Sequence, residues 1–122
     1  MIMNLSFTGG AMTGYIVEGK SDQLRVQSVH PHAHFVILNG ISFRHKERRA
    51  IEEALILCAE VYVLTDPDEP GDKIALKIME TYPEIKRIHI DPKKARNVRE
   101  SRYKYGVEYC SNQYLKETLP GI

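Results

Sequence analysis

The sequence has few of the features that stabilise or place special classes of protein. Only two cysteines occur in its 122 residues, Cys58 and Cys110, far apart and outside any CxxC pattern. That scarcity argues against a disulfide framework or a thiolate zinc site and suits a reducing compartment. No apolar run approaches the roughly 20 residues of a membrane span, and the N-terminus lacks a basic-then-apolar leader. The chain is therefore expected to be cytoplasmic, with no membrane partner. It shows no internal repeat and no low-complexity linker, and its length suits one domain with a single modest core.

Net charge is also nearly absent, at +1, but the charges are unevenly placed. Lys86, Arg87, Lys93, Lys94, Arg96, Arg99, Arg102 and Lys104 crowd one late segment against Asp91 and Glu100. Arg44, Lys46, Arg48 and Arg49 form a smaller cluster. Both could attract phosphates.

Apolar periodicity alternates between two types. Tyr15-Ile16-Val17, Phe35 to Leu38, Val61 to Leu64 and Ile85 to Ile90 read as strands. The third is continuously apolar, as when both faces of a sheet are covered. Between them, Ser21 to Val29, with Ser21 as cap, then Ala50, Ile51, Ala54, Leu55 and Cys58, then Ile74, Ala75, Ile78, Met79 and Tyr82, fall on helical faces. This order predicts an α/β fold, a mainly parallel sheet of about four strands with helices on both faces. Gly9 and Gly10 look turn-like and leave the opening segment without an assignment.

Ligands in such sheets collect at the carboxyl ends of strands, near the switch in strand order. Glu18 ends the first strand there, and Asp66 and Asp68 end the third. If those strands are neighbours, roughly 4.8 Å apart, three carboxylates share one small space. Their repulsion calls for a cation. Oxygen donors without a nearby cysteine or dedicated histidine point to Mg²⁺, or Mn²⁺ in its place. Pro70 and Gly71 then lead into a helix whose N-terminus favours an anion, phosphate being the natural one.

Four segments carry a family resemblance: VEGKSD from Val17 to Asp22, Asn39-Gly40, LTDPDEPGDKI from Leu64 to Ile74, and YGVEYCS from Tyr105 to Ser111. Together, in this order, they resemble the Toprim domain of topoisomerases, primases and certain nucleases. Within that family they resemble most the Toprim half of the ribonuclease M-five maturases of 5S ribosomal RNA. The resemblance covers about 14–119, leaving 1–13 as an N-terminal extension and 120–122 as a tail. It implies a Rossmann-like Toprim fold, with Glu18 as general acid or base in phosphodiester chemistry and Asp66 and Asp68 holding Mg²⁺. Pro70 stands where topoisomerase-type members carry a further glutamate, and no domain with a tyrosine nucleophile is present, which disfavours topoisomerase chemistry. The maturases also carry a C-terminal region that this sequence lacks after Ile122.

Each of these residues also has a plainer explanation. An isolated Asp-x-Asp at a strand end is commonly turn and capping chemistry. Lys20 either binds phosphate or is a solvated first-turn lysine. Gly19 and Gly71 serve tight turns. Glu69 and Asp72 suit a helix N-terminus electrostatically, with Asp72 also placed to support the metal ligands. His30, His32 and His34 alternate as strand neighbours do, but they precede the second strand, away from the functional rim, and read as structural or surface residues.

Arg96, Arg99, Arg102 and Lys104 are either a solvated face or nucleic-acid contacts, the latter favoured by the interleaved Tyr103, Tyr105 and Tyr109. Glu108 either joins the acidic site or pairs with an arginine. Two function classes follow: a Mg²⁺-dependent nuclease acting on RNA or DNA, RNA favoured, or a non-catalytic nucleic-acid or ribonucleoprotein binding module. A phospho-acceptor receiver is set aside, because Gly19 and Lys20 follow Glu18 where a second acid is needed.

Overall fold

The computed structural model describes residues 12–99 and 102–120. The opening extension with Gly9 and Gly10, Glu100, and most of the tail lie outside the described residues. Strand β1 (Thr13–Val17) is followed by helix α1 (Lys20–Gln27), β2 (His34–Ile37), α2 (His45–Leu57), β3 (Glu60–Val63), α3 (Glu69–Thr81) and β4 (Lys86–Arg87). A 3-10 turn (Pro92–Lys94) leads to β5 (Arg96–Arg99) and β6 (Arg102–Tyr105), and a second (Val107–Tyr109) leads to α4 (Asn112–Thr118).

The four-stranded sheet has the order β2-β1-β3-β4, and its neighbours are all parallel. The chain leaves β1 for β2 on one side and later adds β3 on the other, so the strand order switches at the β1–β3 join. Side-chain alternation along the strands then divides the core. Tyr15, Val17 and Leu64 pack with Val26 of α1 and Leu115 of α4 on one face. Ile16, Val36, Val61 and Val63 pack with Ile51 and Ala54 of α2 and Ile74 and Ile78 of α3 on the other. Covered faces on both sides account for strands that are apolar without alternation. Burying each such aliphatic side chain stabilises the fold by about 1.5–3 kcal/mol.

The sequence places these elements well and their ends less well. The fourth strand shortens to Lys86–Arg87, because only β3 pairs with it and only over two residues. Ser21 is not the cap of α1: Gly19 is the N-cap, and its amide donates to Asp22 Oδ2 at 3.1 Å. The basic segment, given no structure from its pattern, forms an antiparallel β5–β6 ribbon outside the main sheet. His30 meets Tyr15 Oη through Nδ1 at 2.9 Å, at the amino end of β2, so it is a packing residue of the core edge. Among the described residues no helix is long and apolar enough to cross a membrane.

Candidate functional site

Parallel pairing brings Ile16 of β1 opposite Val63 of β3, so the residues just beyond both strands emerge together at the switch point. Glu18 comes from the first and Asp66 from the second. The Asp66 amide donates to Glu18 Oε2 at 2.7 Å, linking the two loops directly. On the far side of Glu18, its carbonyl accepts from Gly40 N at 2.8 Å. Asn39 and Gly40 both take left-handed backbone angles there, with φ of 57° and 103°, which explains that residue pair.

Two further backbone donors hold the acids in place. Val107 N donates to Asp66 Oδ1 at 2.9 Å, and Glu108 N donates to Asp22 Oδ1 at 3.0 Å. The 3-10 turn after β6 therefore clamps Asp66 and Asp22 with consecutive amides. Asp22 bridges that turn to the start of α1, since its other oxygen caps Gly19. Asp68 is turned differently: its Oδ1 accepts from Gly71 N at 2.8 Å and caps α3.

Glu18 is pushed up to about 7 by burial, with the Asp66 amide opposing and the charges of Asp66, Asp68 and Asp22 adding to the rise. Burial and then the Asp66 charge likewise raise Asp22 to about 7. Asp66 is raised by burial, against the pull of the Val107 amide. Three crowded carboxyls that resist ionisation together are an electrostatic deficit that a cation relieves.

Among the described residues no three His, Cys, Asp or Glu side chains already stand in a ligating cluster. Glu18, Asp66 and Asp68 each accept a backbone amide through one carboxylate oxygen. The donor chemistry nevertheless fits Mg²⁺, which is commonly held by one or two carboxylates and retains several waters.

Arg87 supports the site from behind. Its Nη2 donates to the Asp66 carbonyl at 3.1 Å, and its Nη1 pairs with Asp72 Oδ1 at 2.7 Å. Its side chain is only 9% exposed, and Nε has no partner. Asp72 thus reaches the acidic loop through Arg87. Gly71 lies within α3 rather than in a turn, and a Cβ there would fall 2.0 Å from the Asp66 carbonyl oxygen. Its role is close approach. Gly19 has nearly open space around its Cα and acts through its amide.

Among the cationic candidates, the described side chains lie at the surface. Lys20 is exposed on the first turn of α1, 3.4 Å from Gln23 Oε1. Arg96, Arg102 and Lys104 are exposed on the ribbon, and Arg99 pairs with Arg102 in its register. Glu108 borders the acids, and its carbonyl, not its carboxylate, accepts from Arg25 Nε at 3.2 Å.

Asp22, Arg87 and the Val107–Glu108 amides were missed from the sequence. Asp22 had a signal, three residues beyond Gly19 at the spacing of a capping acid. Arg87 had none, since a basic run concealed it.

Comparison with known proteins agrees with this fold. The family model of the Toprim domain matches residues 13–98. Over 104 residues the chain is 36% identical to ribonuclease M5 of Staphylococcus aureus, covering 85% of this chain and 56% of that protein. The chain thus spans about half the length of the curated relative it matches. A solved structure of a small TOPRIM domain protein from Bacillus stearothermophilus superposes with a TM-score of 0.67 at 24% identity, covering 87% of this chain and 83% of that one. That likeness bears on the fold alone.

Proposed function

The chain belongs to the Toprim domain family, and from that premise we propose that it cleaves phosphodiester bonds in RNA with the help of a divalent cation, Mg²⁺ or Mn²⁺. The observation that carries the proposal is the Glu18–Asp66 link at the strand-order switch, with Asp22 and Asp68 beside it. Similarity to a ribonuclease over most of the chain favours RNA over DNA as substrate. Soluble cytoplasmic work, alone or within a ribonucleoprotein, accords with this proposal.

Glu18 is the proton carrier. The Asp66 amide, donating to Oε2, fixes the Glu18 carboxyl at the strand-order switch. In the metal-free protein burial raises this acid to about 7, close to neutral pH, where a carboxyl can take a proton from attacking water and return one to the leaving oxygen. The free oxygens of Asp66 and Asp68, with Glu18, would hold the cation. When bound, that cation would neutralise charge on the phosphoryl oxygens. Lys20, Arg96, Arg99, Arg102 and Lys104 are assigned to the nucleic-acid backbone.

A second possibility, a non-catalytic nucleic-acid or ribonucleoprotein binding module, draws on the use of Asp68 as a helix cap. One experiment separates the two. The purified chain is incubated with structured RNA in Mg²⁺, alongside Glu18→Gln. Cleavage by the wild type and none by the variant supports the nuclease. Binding without cleavage by either one assigns the chain to the binding module.

A further inference from the structure

The β5–β6 ribbon is two-faced. Residues directly opposite one another in an antiparallel pair share a face, and consecutive residues alternate. The register pairs Arg96 with Tyr105 and Val98 with Tyr103, which puts these four on one side. Asn97 pairs with Lys104, and Arg102 follows in the same alternation on the other side. One side therefore carries two tyrosines, a valine and Arg96, and the opposite side is polar and cationic.

The aromatic side lies open. Tyr103 is 52% and Val98 63% exposed, unusual for ribbon residues that could have faced the core. Tyr103 and Tyr105 stand 6.3 Å apart between centroids, and the Arg96 guanidinium lies over the Tyr103 ring at 4.3 Å. The guanidinium covers one face of the Tyr103 ring and brings a positive charge beside it, leaving the other face for a base. A second copy of this chain is a poor occupant, because Arg102 and Lys104 on the ribbon would face their own equivalents in edge pairing.

We propose that the β5–β6 ribbon binds an unpaired nucleotide of RNA, its base stacked on Tyr103, one flanking phosphate drawn to Arg96 on the same side and the strand continuing round the ribbon to Arg102 and Lys104. The proposal rests on the RNA-cleaving reading above and names its substrate class: RNA carrying an unpaired nucleotide near the bond to be cut. Paired bases present no free face to a tyrosine ring, whereas every unpaired base does. Position supports it as well. Tyr103 lies four residues before Val107, whose amide holds Asp66, so at most about 13 Å of chain links the stacking residue to the clamp. The ribbon base is closed by Gly106 N donating to the Ala95 carbonyl at 2.8 Å, so ribbon and clamp turn are continuous.

The test measures binding in EDTA, so that cleavage plays no part. The probes are a single-stranded oligoribonucleotide carrying one 2-aminopurine and a fully paired RNA duplex of equal length. Tyr103→Ala should weaken the single strand roughly 5- to 100-fold and abolish the stacking quench of 2-aminopurine, and change duplex affinity less than twofold. Tyr103→Phe should restore both. Arg102→Gln with Lys104→Gln should lower the salt slope for the single strand by about 0.7 per lost contact while leaving the quench in place. Equal losses on both probes, no loss on either, or an unquenched wild-type probe would overturn the proposal. Because no metal is present, each of those results leaves the Glu18 cleavage experiment standing on its own outcome.

Discussion

The amide of Asp66 donates to Glu18 Oε2 across 2.7 Å at the join of β1 and β3, so the two acids are fixed by each other's loops. A mobile pair would separate to reduce repulsion. Here the hydrogen bond, the Val107 clamp on Asp66 and the Arg87 contact to its carbonyl oppose that drift. The acids are held in a like-charged arrangement, of the kind that costs a fold stability.

Glu18→Gln should therefore separate chemistry from fold. Gln keeps an oxygen for the Asp66 amide but cannot carry the proton, so RNA cleavage should fall by about 10²-fold or more. The metal-free protein should melt at the same temperature as wild type or higher, because one repelling charge is gone. Full activity in the variant removes Glu18 from the chemistry.

Without metal, stability should fall as pH rises through the acidic range. A carboxyl raised in the folded state keeps its proton where the unfolded chain has lost it, so the unfolded state binds fewer protons and stability declines with pH. That window runs from 4.5 to about 7 for Glu18 and from 3.8 to about 7 for Asp22. His30, lowered by burial, works the opposite way. Glu18→Gln isolates the effect: its melting temperature in EDTA should decline less between pH 4.5 and 7.5 than that of wild type. Parallel curves would show that Glu18 does not titrate in this range.

Asp68 can be a cap, a ligand or both, and two variants sort these roles. Asp68→Ala removes the acceptor for Gly71 N and should cost about 1 kcal/mol without Mg²⁺, and more with it, because the ligand is lost along with the cap. Asp68→Asn preserves the cap, so its metal-free melt should match wild type while its gain from millimolar Mg²⁺ shrinks. An asparagine variant that gains as much from the metal as wild type would leave Asp68 a cap alone.

The alternation of strands and helices was legible because both faces of the sheet are buried and each helix shows one apolar side, as in Val61 to Leu64 and Ile74 to Ile78. Glu18 and Asp66 were legible because both end strands that run the same way. Register and contact were not. Nothing in the basic run distinguishes Arg87, buried behind Asp66, from Arg102, exposed on the ribbon. The ribbon itself was hidden because its strands carry arginines, lysine and tyrosines on open faces, so no apolar pattern announces them. Asp22 was passed over because its two partners are backbone amides, one of them 86 residues away.

Gly71 offers a test in which local and tertiary preferences have opposite signs. It sits in the first turns of α3, and at an ordinary helix position Gly→Ala stabilises by about 0.5–1 kcal/mol. Here the added methyl would meet the Asp66 carbonyl at 2.0 Å and Asp68 Oδ1 at 2.9 Å. The nearer obstacle is backbone, held by Arg87, and cannot swing aside as a flexible side chain would. Either α3 shifts away from the loop or the Asp66 carbonyl moves, and overpacking of this kind costs about 1–3 kcal/mol. Gly71→Ala should therefore lower the melting temperature, and any folded protein that remains should show a weaker response to Mg²⁺, because Asp66 moves with its carbonyl. A control at exposed Lys77, well along the same helix, should tolerate Ala within about 0.5 kcal/mol. If Gly71→Ala instead stabilises the chain, the Asp66 loop has room to relax, and its position is not fixed by the close approach of α3.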